Sequence, residues 1–427
     1  MRIMLKRLIT GIIVCAAAAA AFTYTQDSLA DEFFDFPENF EVRQQVKEEL
    51  LAPLFDDGED TRYFPVWGKS YRVKYEKIIR GEDLFYSFIT GTGGGFPRDA
   101  RGSYIIKRSR RNGLFQWMKI VLRAESHSYL KITPDGGRCL AELVLLNEPL
   151  YRNLVLPIDF SALMFEPFSK VVQLTENSVD WKLILYQARP ADYAGISGVL
   201  ERIEALRPLI KEADDGAQNR AGEFVYIESG EPQDHTGGFN CSGFAKWVVD
   251  GFYRPLAGFN IDIGLLKQKH EDLRGNRWNK EYYKYRDLYF GLDWTRNLAA
   301  VLEEERTQSP QAFESADVRS VKYFTYREDS GYPVKNLMLL MYILAANEPG
   351  YFYIGSVNNI YPKNPLLHSH FHVALFFPYF DPNGNFRLAV LDQHAQRTAA
   401  AFISQYSGDY IHLVRIKASG VFSPAFP

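Results

Sequence analysis

Gly237-Gly238-Phe239-Asn240-Cys241-Ser242-Gly243-Phe244-Ala245-Lys246-Trp247-Val248-Val249 decides how this chain is read. A loop of small and polar residues here becomes an amphipathic helix, with a cysteine at the junction. First-turn N–H groups and the positive end of the helix dipole favour thiolate over thiol, so Cys241 is expected to be a nucleophile. About 130 residues later, His370-Phe371-His372-Val373-Ala374-Leu375-Phe376-Phe377 carries a histidine into an apolar strand. Leu388-Ala389-Val390-Leu391-Asp392-Gln393-His394 reads as another strand ending in polar groups. Asp381-Pro382-Asn383-Gly384-Asn385 between them has the composition of a hairpin turn, so the two strands should be neighbours. A thiol on a helix start, an imidazole on a strand and a polar orienter on the next strand are the parts of a thiol enzyme.

Outward from that stretch the chain divides in two. From Tyr63 to about Leu185 short runs rich in β-branched and aromatic residues alternate with turn signals such as Arg111-Asn112-Gly113 and Pro134-Asp135-Gly136-Gly137. Their spacing predicts an antiparallel β-domain over 31–215, a sandwich or barrel, closed by a helix over Ile196–Ala213 that Pro208 kinks or splits. Residues 216–427 form the second domain, with an insertion at about 254–350 in which Gly264–Glu305 reads as polar, aromatic and helical. There the order is the cysteine helix, an apolar helix over Val334–Asn347, then antiparallel strands, so the chain as a whole is α+β. Gly91-Thr92-Gly93-Gly94-Gly95 lacks the Lys-Ser/Thr pair of a phosphate loop and reads as a turn.

The N-terminus carries Arg2, Lys6 and Arg7, an apolar stretch from Leu8 to Phe22, and Ser28-Leu29-Ala30. This is the pattern of a secretory signal peptide over 1–30, cut before Asp31, and it implies export to the periplasm or cell surface. An uncleaved anchor is the alternative, against which the short apolar stretch argues. Val14 before Cys15 argues against a lipid-attachment site. Beyond that segment nothing is apolar for long enough to cross a membrane. The formal net charge of -3 gives no basic surplus for nucleic acid.

The run from Tyr226 through Gly237-Gly238-Phe239-Asn240-Cys241-Ser242-Gly243, with His372-Val373-Ala374-Leu375-Phe376, resembles the NlpC/P60 and CHAP group of papain-like cysteine peptidases. The resemblance covers about 220–395 and leaves the N-terminal half unexplained. It implies a papain-like domain with helices packed on an antiparallel sheet, and cleavage of peptide or amide bonds in peptidoglycan without a cofactor or metal. Carried over residue by residue, Cys241 is the nucleophile and His372 the base. Asp392 or His394 orients the imidazole, and Tyr226 supplies a hydroxyl near the oxyanion. Asn240 stands where the family has Asp more often, and the gap from cysteine to histidine is longer than usual.

Bland readings stand beside these. Cys139, at an expected strand start, is a small buried side chain, or it pairs with Cys241 in a disulfide. His368, His370 and His372 alternate and should share one face of a strand, which would suit zinc, although no acidic or cysteine ligand adjoins them. His370 is then the first substitute for His372. His235 reads as a surface loop residue, and Trp278–Tyr285 as packing of the insertion more than a sugar groove. A non-catalytic exported binding protein on the same fold, or an acyl or glutamyl transferase at the same site, are the competing functions. The oligomeric state is left open.

Overall fold

The computed structural model describes residues 36–53, 58–124, 127–234, 237–270, 291–360, 368–392 and 395–425. The signal segment, His235, Trp278–Tyr285 and His394 lie outside them. Two compact units divide between Tyr186 and Gln187, so the helix expected to close the first domain belongs to the second.

The first unit is one eight-stranded antiparallel sheet in sequence order: β1 (Asp60–Pro65), β2 (Arg72–Arg80), β3 (Asp83–Thr90), β4 (Tyr104–Ser109), β5 (Phe115–Val121), β6 (Tyr129–Asp135), β7 (Arg138–Leu145) and β8 (Glu148–Leu156). Period-2 burial, as in Tyr104, Ile106 and Arg108 of β4, marks one covered face. The expectation of a sandwich or barrel is corrected here. The sheet stays open, since β1 and β8 pair only inward. In place of a second sheet, short helices at Phe160–Leu163, Phe168–Thr175 and Trp181–Ile184 bury Phe160, Phe168 and Trp181. Ahead of the sheet, α1 (Phe40–Gln45) sinks Arg43, which holds Glu38 at 2.8 Å and Asn39 Oδ1 at 2.7 Å and lies over the Tyr104 ring. Those partners offset the cost of burying its charge.

The second unit contains a short antiparallel pair, β9 (Ala217–Gln218) and β10 (Phe224–Val225), and is built on a six-stranded antiparallel sheet. Its strands are β11 (Tyr332–Pro333), β12 (Tyr351–Ile360), β13 (His368–Phe380), β14 (Phe386–Asp392), β15 (Ala395–Thr398) and β16 (Tyr410–Lys417), ordered β11-β16-β12-β13-β14-β15. Asp381–Asn385 makes the expected hairpin, with Asp381 N–H donating to the Asn385 carbonyl at 2.9 Å. Three helices matter for the site. α2 (Cys241–Ala257) starts at the cysteine, α3 (Leu292–Thr307) packs beside it, and α4 (Leu337–Asn347) is apolar all round and buried. Val373, Leu375 and Phe377 of β13 share one core with Phe244, Trp247 and Val248 of α2 and with Trp294 and Leu298 of α3. The expected insertion at 254–350 therefore contributes a core helix, α3, and is not only a peripheral addition. The helix over Ala194–Leu206 ends in a 3-10 turn at Arg207–Leu209, where Pro208 stops it.

Several contacts fix α2 in place. Asn240 caps it, its side chain accepting from Gly243 N–H at 2.8 Å, and Gly258 ends it at φ +82. Pro255 lacks the N–H that the Gly251 carbonyl would take, and Ser423 N–H donates to that carbonyl at 2.7 Å instead. Lys246 and Asp250, one turn apart and fully buried, pair at 2.6 Å, and Asp250 also accepts from Ile261 N–H. The Trp294 indole donates to the Ser242 carbonyl at 3.1 Å. Gly243 is required by close approach, since a Cβ there would lie 1.8 Å from the Gly216 carbonyl oxygen.

Candidate active site

Cys241 is the first residue of α2, where N–H groups have no intrahelical acceptor. It is 6 % exposed. The β13–β14 ladder ends at Leu375↔Leu391. Beyond that point Val373 N–H turns to the Cys241 thiol, which also hydrogen-bonds His372. The ladder end thus gives α2 a place to set its first residue against the sheet.

A bulge brings the histidine round. Val357 of β12 pairs with His372, and the next residue, Asn358, pairs with His370, leaving Phe371 as the extra residue. Consecutive residues of a strand point to opposite faces, so His372 and His370 do too. The expectation that three histidines share one face is corrected. His368 and His370 share one face, where His368 Nδ1 meets Asn358 Oδ1 at 3.1 Å and His370 lies near His412. The first substitute named for His372 is therefore turned away from it.

His372 lies on the face of Ala374, and the Leu375↔Leu391 register puts Asp392 level with Ala374 on that face. His372 Nε2 and Asp392 Oδ1 are 2.6 Å apart. With Nε2 so engaged, Nδ1 is the nitrogen left for the thiol. Burial pushes the imidazole down, but the hydrogen bonds to Asp392 and Cys241 outweigh it and raise it to about 9. Burial pushes the Cys241 thiol up. The hydrogen bond and charge of His372, with Val373 N–H, outweigh that and leave it below the ordinary thiol value. Between those limits the coupled pair is thiolate and imidazolium.

Three of the five residues singled out in the sequence, Cys241, His372 and Asp392, come together. Tyr226 does not join them. It follows a short strand at Phe224–Val225, half-buried in a turn where its carbonyl accepts from Gly230 N–H at 2.8 Å. Among the described residues its hydroxyl has no hydrogen bond to the three. Cys139 is a free, buried thiol in the first unit and Cys241 is free as well, so the disulfide alternative does not form. Burial beside Asp159 pushes the Cys139 thiol up to about 12.

Two neighbours were missed. Tyr406, at the end of α5 (Ala399–Gln405), stacks on the His372 imidazole with centroids 5.7 Å apart and planes 25° apart. Arg397 of β15 places Nε 2.8 Å from Asp392 Oδ2, an ion pair without the alignment of a hydrogen bond. The Val390↔Arg397 register puts Arg397 on the face of Asp392, so a second hairpin read just past Asp392 would have found it. Nothing distinguishes Tyr406 among the 26 tyrosines.

A family model described as a domain of unknown function (DUF8515) matches residues 32–183. That span falls in the open-sheet unit and short of the thiol site. No curated protein and no solved structure matches the chain.

Proposed function

We propose that the chain is an exported thiol hydrolase of the papain-like, NlpC/P60-type class, cleaving peptide or amide bonds in peptidoglycan. One observation carries the catalytic part. A thiol at a helix N-terminus is hydrogen-bonded to an imidazole whose other nitrogen is held 2.6 Å from a buried carboxylate. The wall substrate and the export rest on the resemblance of the Cys-Ser-Gly and histidine stretches and on the leader pattern.

The steps follow from the geometry. The Cys241 thiolate attacks the carbonyl carbon of the scissile amide. Charge developing on the carbonyl oxygen is met by free N–H groups of the first turn of α2, Cys241 N–H among them. Collapse expels the amine, which takes its proton from His372, and leaves a thioester on Cys241. His372, now neutral, accepts a proton from an incoming water. Hydrolysis of the thioester releases the acid and restores the pair. Asp392 holds the tautomer and orientation of the ring through both halves.

The test is incubation of the protein with peptidoglycan fragments and short peptides, following new amino termini by mass spectrometry. Wild type should release them, and Cys241→Ala should abolish release. A product extended by an added amine would convert the reading to transfer. No turnover, with no acyl group trapped on Cys241, would leave a binding protein.

A further inference from the structure

Arg397 is the one permanently charged side chain paired with the site's carboxylate among the described residues. Its Nε sits on Asp392 Oδ2, and its Nη1 donates to Gln405 at the end of α5. The guanidinium is thus held from both sides, although its side chain is 38 % exposed. Asp392, 3 % exposed, is shared between two cations, the His372 imidazolium on one oxygen and Arg397 on the other.

We infer that Arg397 is a positioning residue for the reacting pair: through Asp392 it fixes the orientation of His372 and limits how firmly that ring holds its proton. This rests on the reading of Cys241 and His372 as the reacting pair. A carboxylate serving one cation holds it more strongly than a carboxylate divided between two. The distinction matters chemically, because His372 must surrender its proton to the leaving amine. An imidazolium gripped by an undivided carboxylate is a poorer acid.

The charged and titratable groups around the ring come from four elements. Cys241 is on α2, Asp392 on β14 and Arg397 on β15. Tyr406 and, beyond it, Asp409 follow α5 and act on each other. His370 lies on the other face of β13. Of these, Arg397 alone is a permanent cation.

The experiment is a pH titration of the His372 imidazole resonances by NMR, in the full chain, for wild type, Arg397→Gln and Arg397→Lys. His372→Ala identifies the resonances. Removing a charge roughly 6 Å from the ring in a largely aqueous dielectric should raise the His372 midpoint by about half a pH unit or more, and Lys should restore it. An unchanged midpoint in Arg397→Gln overturns the inference, and a fall overturns the claim that Arg397 limits the ring's hold on its proton. The two readings fail separately. A wild-type His372 that titrates at the ordinary imidazole value overturns the Cys241–His372 pair itself. A raised wild-type midpoint that ignores Arg397→Gln overturns only the role of Arg397.

Discussion

His372→Ala tests the site most directly, because the chain carries its own reference thiol. Cys139 is buried with no imidazole beside it, and burial holds it at about 12. Cys241 is as buried as an ordinary core residue, and His372 is the largest influence holding its thiol down. Removing the ring leaves burial opposed only by Val373 N–H and the helix start, so Cys241 should move toward the behaviour of Cys139. At pH 7 a thiol with a pKa of about 12 is thiolate in roughly one molecule in 10⁵, against a far larger share in the paired state, whose thiol lies below the ordinary value. Intrinsic nucleophilicity rises with pKa and returns about half of that loss on a logarithmic scale. The net expectation is a fall of up to about three hundredfold in the alkylation rate of Cys241 at pH 7. The assay is iodoacetamide labelling from pH 4 to 10, with Cys241 and Cys139 peptides quantified separately in the same samples. In wild type, Cys241 should label fast with a midpoint below the free-thiol value, while Cys139 labels slowly. If His372→Ala keeps the wild-type profile, or wild-type Cys241 labels no faster than Cys139, the argument from the pair is wrong.

Asp392→Asn removes one of the two partners that outweigh burial at the ring. The His372 midpoint should drop from about 9 toward the ordinary imidazole value, read by NMR titration, with slower labelling of Cys241 at pH 7.5. In a Cys241→Ala background, which removes the thiol's own titration, His372 should stabilise the second unit below its unfolded value of about 6.5. That contribution should fade as pH rises through the folded value, which Asp392 still raises but which loss of the thiol brings below about 9. Melting temperatures of Cys241→Ala and Cys241→Ala/His372→Ala should therefore converge between pH 6 and 10, and divergence would contradict the sign. Gly243→Ala drives a Cβ to 1.8 Å from the Gly216 carbonyl oxygen, so α2 must move off its support. We expect a loss of about 3 kcal/mol or more in urea unfolding of the second unit, and Ser242→Ala serves as a control for position.

The parts of the site that follow from local chemistry were legible in the sequence. Asn240 before Cys241-Ser242-Gly243 marks a helix start because its side chain can take the Gly243 N–H, and it does so at 2.8 Å. The Asp381–Asn385 hairpin brought the strands of His372 and Asp392 together, because turn residues set which strands are neighbours. Features that depend on packing between distant segments did not show. Residues in 254–350 read as an insertion because polar and charged residues are frequent there. Yet α3 buries Asp293, Arg296 and Asn297 among partners supplied by other segments, as when Arg296 meets Asp317 through two bonds at 3.0 and 2.6 Å. Alternation in the first unit shows that one face of the sheet is covered, not what covers it, so it fits a sandwich or barrel as well as the open sheet that forms. Tyr406 reaches His372 only after α5 has turned the chain back, and no spacing rule encodes that.

The bulge at Phe371 shows why the histidine pattern was misread and what the misreading hid. In an unbroken strand, His370 and His372 would point the same way, and one of them would be spare. With one extra residue they serve two separate layers. His370 enters a buried polar layer with His412, whose ring burial holds down and whose neighbour Asp317 lies 3.4 Å away, also bound to Arg296. His372 is left to Cys241 and Asp392. The β14 ladder stops at Leu375, short of the bulge, and beyond that end Val373 N–H meets the thiol. Deleting Phe371 should therefore remove the kink and leave the assignment of the rings intact. His370 and His372 would become consecutive, and alternation with the pairs Asn358↔His370 and Val357↔His372 would keep each on its present face. Rapid alkylation of Cys241 should persist in that variant, and its loss would refute this account of the bulge.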